Sequence, residues 1–255
     1  MKYINKQGKG KLIKLLTICI ILGLFSILIY FLYNVFTYKK VTTSIEFTQD
    51  IWDVKIEFNS TDLTIIQGDT LKIDTDKNDS IITKKIKNTL LIKDNNLFNK
   101  SNKVTITLPK YLNEVEIEFY NKTLNINDLN INSFNLEQKK ATINVNNLIS
   151  NNTDIESASG NLTINNSTLK NLDLEISTSQ VYFSGTLLYE TEIEQNNGDL
   201  TLDLTGSDYL IKAQKGFGTL TIDDVVYQSD TITGAGYNTI EIESGRGNTT
   251  INTNK

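Results

Sequence analysis

Three near-copies of one hexapeptide restrict what this chain can fold into more than any other feature: GNLTIN at 160–165, GDLTLD at 198–203 and GTLTID at 218–223. SQVYFS, beginning at Ser179, repeats the apolar spacing midway between the first two. KKATIN begins at Lys139 and GYNTIE at Gly236, so the anchors 139, 160, 179, 198, 218 and 236 stand 21, 19, 19, 20 and 18 residues apart. A period near 19 is the mark of a solenoid, whose units cannot bury their apolar faces alone.

Within a unit the third and fifth residues are apolar and their neighbours polar, the alternation of a strand with one buried face. A second short strand follows about 14 residues after the anchor: LDLEI at 172–176, ETEIE at 190–194, YLIKA at 209–213 and, last, NTTIN at 248–252. Stacking successive units would align Leu162, Val181, Leu200 and Leu220 in one interior column, and Ile164, Phe183, Leu202 and Ile222 in the next. The expected fold is therefore all-β, a single-stranded β-helix or β-solenoid over 41–255. A plain antiparallel β-sandwich is the alternative. Before residue 120 the pattern is looser, and DTDKNDSIITKK (74–85) reads as a hairpin tip.

Ahead of this domain, Leu15 to Tyr33 runs 19 residues without a charge, close to the roughly 20 needed to cross a bilayer core. Lys2, Lys6, Lys9, Lys11 and Lys14 precede the segment and Lys39 and Lys40 follow it, which places the amino terminus in the cytoplasm. The expected organisation is a basic cytoplasmic tail at 1–14, one transmembrane helix at 15–38 and an extracytoplasmic domain at 41–255. That makes a single-pass protein of the cell membrane. A cleaved signal peptide is the alternative, but YNVFTYKK offers no small-residue cleavage site.

Composition then removes function classes. The chain has no His, and its one Cys, Cys19, lies in the apolar segment, so neither imidazole chemistry nor a cysteine metal site is available to 41–255. Seven of the 25 basic residues precede position 41; the remaining 18 face 30 Asp and Glu, a net charge of −12. Such a domain has no electrostatic attraction for nucleic acid. Asn is dense between 121 and 197, which fits turns, and equally an AT-rich coding sequence.

The remaining strings offer little chemistry. DTDKND (74–79) resembles the start of a calcium loop, but Asp79 stands where Gly is needed and Lys85 where Glu is needed, so a solvated turn is expected. Asp199, Asp203, Asp223 and Asp224 could gather carboxylates on one face for a polysaccharide-cleaving β-helix. Yet Asp223 and Asp224 are adjacent, so on a strand they point to opposite faces. Tyr182, Tyr189, Tyr209, Tyr227 and Tyr237 recur around the later units and suit either stacking on a ligand or ordinary strand formation. No catalytic, cofactor-binding or metal residue is expected.

The order of VKIEFNSTDLTIIQGDTLKI, NTLLIKD, KVTITLPK, the Gly-x-Leu-Thr-Ile units and the closing GAGYNTIEIESGRGNTTI resembles the bacterial putative-adhesin β-strand-repeat family, a domain of unknown function. The likeness spans 45–252. It implies a single-stranded β-helix, often membrane-tethered and found among cell-envelope and envelope-stress proteins, with no catalytic residues to carry over. The chain departs from that family's glycine-rich pattern in 120–150, where Asn and Lys stand in for Gly and the register is expected to slip. The expected function is a non-catalytic, membrane-anchored, adhesin-like interaction or envelope-stress module. Its partner would be an envelope protein or cell-wall glycan, with self-association through the solenoid end as a further route. A polysaccharide-degrading enzyme and a purely structural surface protein are the alternatives.

Overall fold

The computed structural model describes Ser26 and residues 43–46, 51–76, 81–94, 103–206 and 208–253. Ser26 apart, the expected basic tail and membrane span lie outside the described residues. Residues 42–255 form one compact unit, and its described part is all-β with a solenoid-like stack of strands.

Its middle is regular. The strands β8 (Glu114–Asn127), β9 (Asn130–Asn146), β10 (Ile149–Ser157), β11 (Gly160–Ile176) and β12 (Gln180–Gln195) climb in parallel to β13 (Asp199–Leu204). Leu124, Ile143, Leu162, Val181 and Leu200 are successive partners, and so are Ile126, Val145, Ile164, Phe183 and Leu202. All ten are buried. Each contributes roughly 1.5–3 kcal/mol by leaving water, which is why alternation in the sequence becomes columns in the interior. These columns make one ladder of the stack. The other carries Val115 beside Phe134 and Ile117 beside Leu136, continued by Ile155, Leu174 and Ile193.

The Asn-rich stretch from 121 holds this register. Asn144 donates to Asn125 (3.1 Å), Asn146 to Asn127 (3.2 Å), Asn165 to Asn146 (3.3 Å) and Asn151 to Asn132 (3.1 Å), each pair 19 residues apart. Stacked side-chain amides satisfy one another along the column. Asp128, Asn147 and Asn166 turn the same corner with φ of 56°, 57° and 51°, a left-handed conformation that Asn and Asp tolerate.

The ends break the chain order. Beneath β8 lie β2 (Asp53–Phe58) and β3 (Asp62–Gly68); beneath those lie β6 (Thr89–Asp94) and β7 (Lys103–Pro109), which come later in the chain. At the other end β18 (Asn238–Ser244) and β19 (Thr249–Asn252) insert between β12/β13 and the earlier strands β14 (Tyr209–Gln214) and β15 (Leu220–Ile222). The expected column Leu162, Val181, Leu200, Leu220 is therefore corrected: Thr249 sits between Leu200 and Leu220. The phase of two units is corrected too. GNTTIN (247–252) occupies the position given above to GYNTIE, whose strand belongs to the other ladder. Ala141, not Lys139, aligns with Gly160.

Antiparallel strands close each end. At the first end β5 (Ile81–Ile86) pairs with β6, while β4 (Lys72–Thr75) pairs with β7 and with β1 (Thr43–Glu46). β4 and β5 are thus not the two arms of one hairpin, since they belong to different ladders; residues 77–80 lie outside the described residues. At the second end β17 (Thr231–Gly234) pairs with β14 and β16 (Val225–Tyr227) with β15.

Polar groups inside the stack serve the corners. Buried Gln138 donates to the carbonyls of Ala141 and Ser159 (2.9 Å each) and accepts from Ser157 (3.2 Å). Gln195 repeats this, donating to the carbonyls of Gly198 (2.5 Å) and Asn248 (3.0 Å) and accepting from Thr249 (2.5 Å). Buried Asp94 accepts from the backbone N–H groups of Asn59 (3.0 Å) and Ser60 (2.9 Å) and from the Thr61 hydroxyl (3.0 Å), so three donors compensate its desolvation. Where the last strands insert, Gly198, Gly247 and Gly218 stack. A Cβ on Gly247 would lie 1.7 Å from the Gly198 oxygen, and one on Gly218 would lie 1.8 Å from the Gly247 oxygen.

Leu200→Asp places an unpaired charge in the column and should cost about 4 kcal/mol or more, whereas outward-facing Thr201→Asp should stay within about 0.5 kcal/mol. Thermal melts of both variants test the assigned faces, and equal losses would overturn them. Gly247→Ala should cost about 1–3 kcal/mol through overpacking. A melting point equal to the parent's would mean that the last strands do not insert where described.

Candidate functional site

Alternation that sends apolar side chains inward on β8–β12 sends their neighbours outward, and parallel pairing then stacks those neighbours on one another. On the ladder containing β2, β10 and β18 the result is a row of carboxylates. Glu57, Glu118, Glu137, Glu156, Glu175, Glu194 and Glu243 are consecutive partners. Two residues earlier on each strand a second row runs Lys55, Glu116, Asn135, Asp154, Asp173, Glu192, Glu241 and Lys212. Neighbouring strands are about 4.8 Å apart, so carboxylates inside the rows, such as Glu156, Glu175 and Asp173, have like charges directly above and below.

Lysines relieve this repulsion towards both ends. Lys55 reaches Glu116 and Glu118 at 2.6 Å each, Lys93 pairs with Glu57, and Lys139 pairs with Glu137. Lys212 reaches Glu241 at 2.5 Å. The hydrogen bonds that Lys55 donates to Glu116 and Glu118 hold its ammonium well above the usual lysine range. Between these groups Asp154, Glu156, Asp173, Glu175, Glu192 and Glu194 occupy three adjacent strands with no salt bridge among the described residues. Partial desolvation, followed by the charges of Glu156, Glu194, Asp173 and Asp154, pushes the Glu175 carboxyl up. Partial desolvation and then Asp173 do the same to Asp154.

The rows end in an open groove of about 580 Å³ walled by Glu192, Glu194, Lys212, Asp230, Ile232, Glu241 and Glu243. Its chemistry is that of a cation-attracting surface: many acceptors, one lysine and an exposed isoleucine.

The other ladder does not assemble the carboxylates singled out in the sequence. Asp199 accepts from the Asn248 backbone and side chain (2.8 and 3.2 Å), and Asp203 accepts from Tyr182 (2.8 Å) and Asn252 (2.6 Å). Asp223 and Asp224 have φ of 47° and 63° in the β15–β16 turn, where Asp223 accepts from Thr253 (2.7 Å). β19 lies between them and β13. Of DTDKND, Asp74 pairs with Lys72 at 2.9 Å and Asp76 accepts from the Lys103 backbone; residues 77–79 lie outside the described residues. The tyrosines divide similarly. Tyr209 is buried and Tyr227 packs on the core, while Tyr189 in β12 and Tyr237, just before β18, stand exposed. The Lys170 ammonium lies 6.0 Å from the Tyr189 ring centroid, within cation–π range.

The sequence did carry the signal for the carboxylate rows. TDIES, LDLEI, ETEIE and IEIES hold acids two residues apart on β10, β11, β12 and β18; only the register shows that they stack.

The chain belongs to the Toastrack DUF4097 family, whose profile matches residues 40–229. Among solved structures, a "putative adhesin" from Bacteroides fragilis is 13% identical and superposes with a TM-score of 0.50 over 84% of this chain and 98% of its own. A "putative cell adhesion protein" from Clostridium sporogenes, also 13% identical, covers 83% of this chain and 99% of its own with a TM-score of 0.34. A "putative adhesin" from Parabacteroides merdae, again 13% identical, covers 82% and 95% with a TM-score of 0.31. No curated protein matches the chain.

The raised carboxyls carry a pH dependence. The folded protein holds protons on Glu175 and Asp154 at a pH where the unfolded chain has released them, so acidification favours the fold. The melting temperature should rise as pH falls from neutrality towards the ordinary carboxylate range. Glu175→Gln with Asp154→Asn should raise it at pH 7.5 and flatten the dependence. Added salt should remove only the like-charge part, leaving desolvation. A melting temperature that falls steadily over that range would contradict the reading of the rows.

Proposed function

We propose that this chain is a non-catalytic, adhesin-like interaction module, held at the cell membrane by one amino-terminal helix with its β domain outside. In this reading the domain is a single-stranded β-helix of 19-residue period. Its carboxylate rows recognise a basic segment of an envelope protein. The observation that carries this is the pair of stacked rows on adjacent strands, with six carboxylates at their centre that make no salt bridge among the described residues. A periodic surface of one charge sign presents many equivalent contacts to an extended cationic partner and accelerates encounter. Likeness to adhesin-named proteins of the same fold agrees with binding rather than turnover. The apolar segment at 15–33 and the preceding lysines support the anchoring.

A lysine-rich peptide serves as the probe. It should bind the full-length protein with an affinity that falls as salt rises. Glu156→Gln, Glu175→Gln and Glu194→Gln together should weaken binding about tenfold or more, while Asp199→Asn on the other ladder leaves it unchanged. Equal affinity in the triple variant and the parent would sink the proposal. Protease digestion of intact cells should remove the β domain from outside; protection of residue 255 would overturn the topology.

A further inference from the structure

The two ends of the stack carry unlike edges. At the first end β5 has β6 on one side, and its outward side chains are Ile82, Lys84 and Ile86, with Lys87 just beyond. Ile82 and Ile86 are each 49% exposed. At the second end β17 has β14 on one side and shows Ile232, 72% exposed, with Asp230 just before it. Asp223 and Asp224 lie in the turn beside it that leads into β16, where Val225 and Val226 are also exposed. Among the described residues β5 pairs with β6 alone and β17 with β14 alone, so each end offers a strand edge with exposed aliphatic side chains. One is basic and the other acidic.

We infer that copies of this chain associate head to tail, the β17 edge of one copy pairing with the β5 edge of the next. Both strands run antiparallel to the parallel stack, so in a coaxial continuation they run parallel to each other. Ile232 lies on the same outward face as Lys212, and Ile82, Lys84 and Ile86 lie on the same outward face as Lys93, Leu91 and Thr89. One register then satisfies both chemistries: Asp230 opposite Lys84 and Ile232 opposite Ile86. The same charges reject the wrong pairings, since two β5 edges would set lysines against lysines and two β17 ends would set aspartates against aspartates. Edge lysines ordinarily keep strands from pairing; here an acidic edge on the same molecule turns that guard into a selector. The contact is heterologous, using different patches on the two copies, and so does not close on itself. It involves neither carboxylate row at mid-stack, although Asp230 and Ile232 also wall the groove in which the rows end.

Sedimentation velocity of the full-length protein in detergent, over a range of concentration and salt, tests this. The parent should form a concentration-dependent series of oligomers that shortens as salt rises. Lys84→Asp alone and Asp230→Lys alone should each weaken association about tenfold or more. The double variant, and a mixture of the two single variants, should recover it, because both the intact and the reversed ends are complementary. Unchanged far-ultraviolet circular dichroism and melting confirm that the hairpins remain folded. Recovery also separates end pairing from association through the membrane segment, which the reversals leave untouched. A parent that is monomeric throughout, single variants that associate as the parent does, or a double variant that fails to recover would each overturn the inference.

Discussion

Parallel stacking in register means that each side chain has the residue one unit before it and the residue one unit after it as nearest neighbours. Whatever chemistry a position has is multiplied along the column. Apolar columns such as Ile117, Leu136, Ile155, Leu174 and Ile193 gain burial with every strand added. Asparagine columns gain a hydrogen bond at each step. Carboxylate columns gain repulsion instead. Two unit charges about 4.8 Å apart in water repel by about 1 kcal/mol, less once screened, against roughly 1.5–3 kcal/mol for each buried aliphatic side chain. The inner columns win, and the outer rows survive as a charged surface the fold can carry.

The same rule gives the corners their residue types. A corner recurs once per strand pair, so its backbone approaches its own copy above and below. Gly198, Gly247 and Gly218 meet there with no room for a Cβ. Gln138 and Gln195 each bridge two carbonyls beside a corner. Asp94 does for the 59–61 turn what the glutamines do higher up, with a charge in place of an amide.

Much of this could be read from the residues. Leu162, Ile164, Val181, Phe183, Leu200 and Leu202 are buried partners in the expected columns because strand alternation is local and their spacing preserves register. What could not be read was the order of stacking at the ends. Nothing local distinguishes a strand that follows its predecessor in space from one that slips in beneath it, and GYNTIE and GNTTIN carry nearly the same alternation. Asp203 and Asp223 hold the same place in GDLTLD and GTLTID, yet inserted β19 separates their strands. The carboxylate rows went unseen for the opposite reason. Their members are spread along the chain from 57 to 243, and only knowledge of both end insertions brings the first and last of them into line.

The inserted strands also bear on how such a protein could change its length over generations. In a simple solenoid a unit can be gained or lost anywhere, because each unit meets only its neighbours in the chain. Here 53–68 is clamped between strands from 89–109 and 114–127, and 238–252 between strands from 190–204 and 209–222. Duplicating a unit in either clamped region would leave a strand with no slot. Duplicating one between 114 and 204 would lengthen the stack and leave both clamps intact. Growth in this architecture belongs to the middle, and the two ends are inherited as fixed fittings.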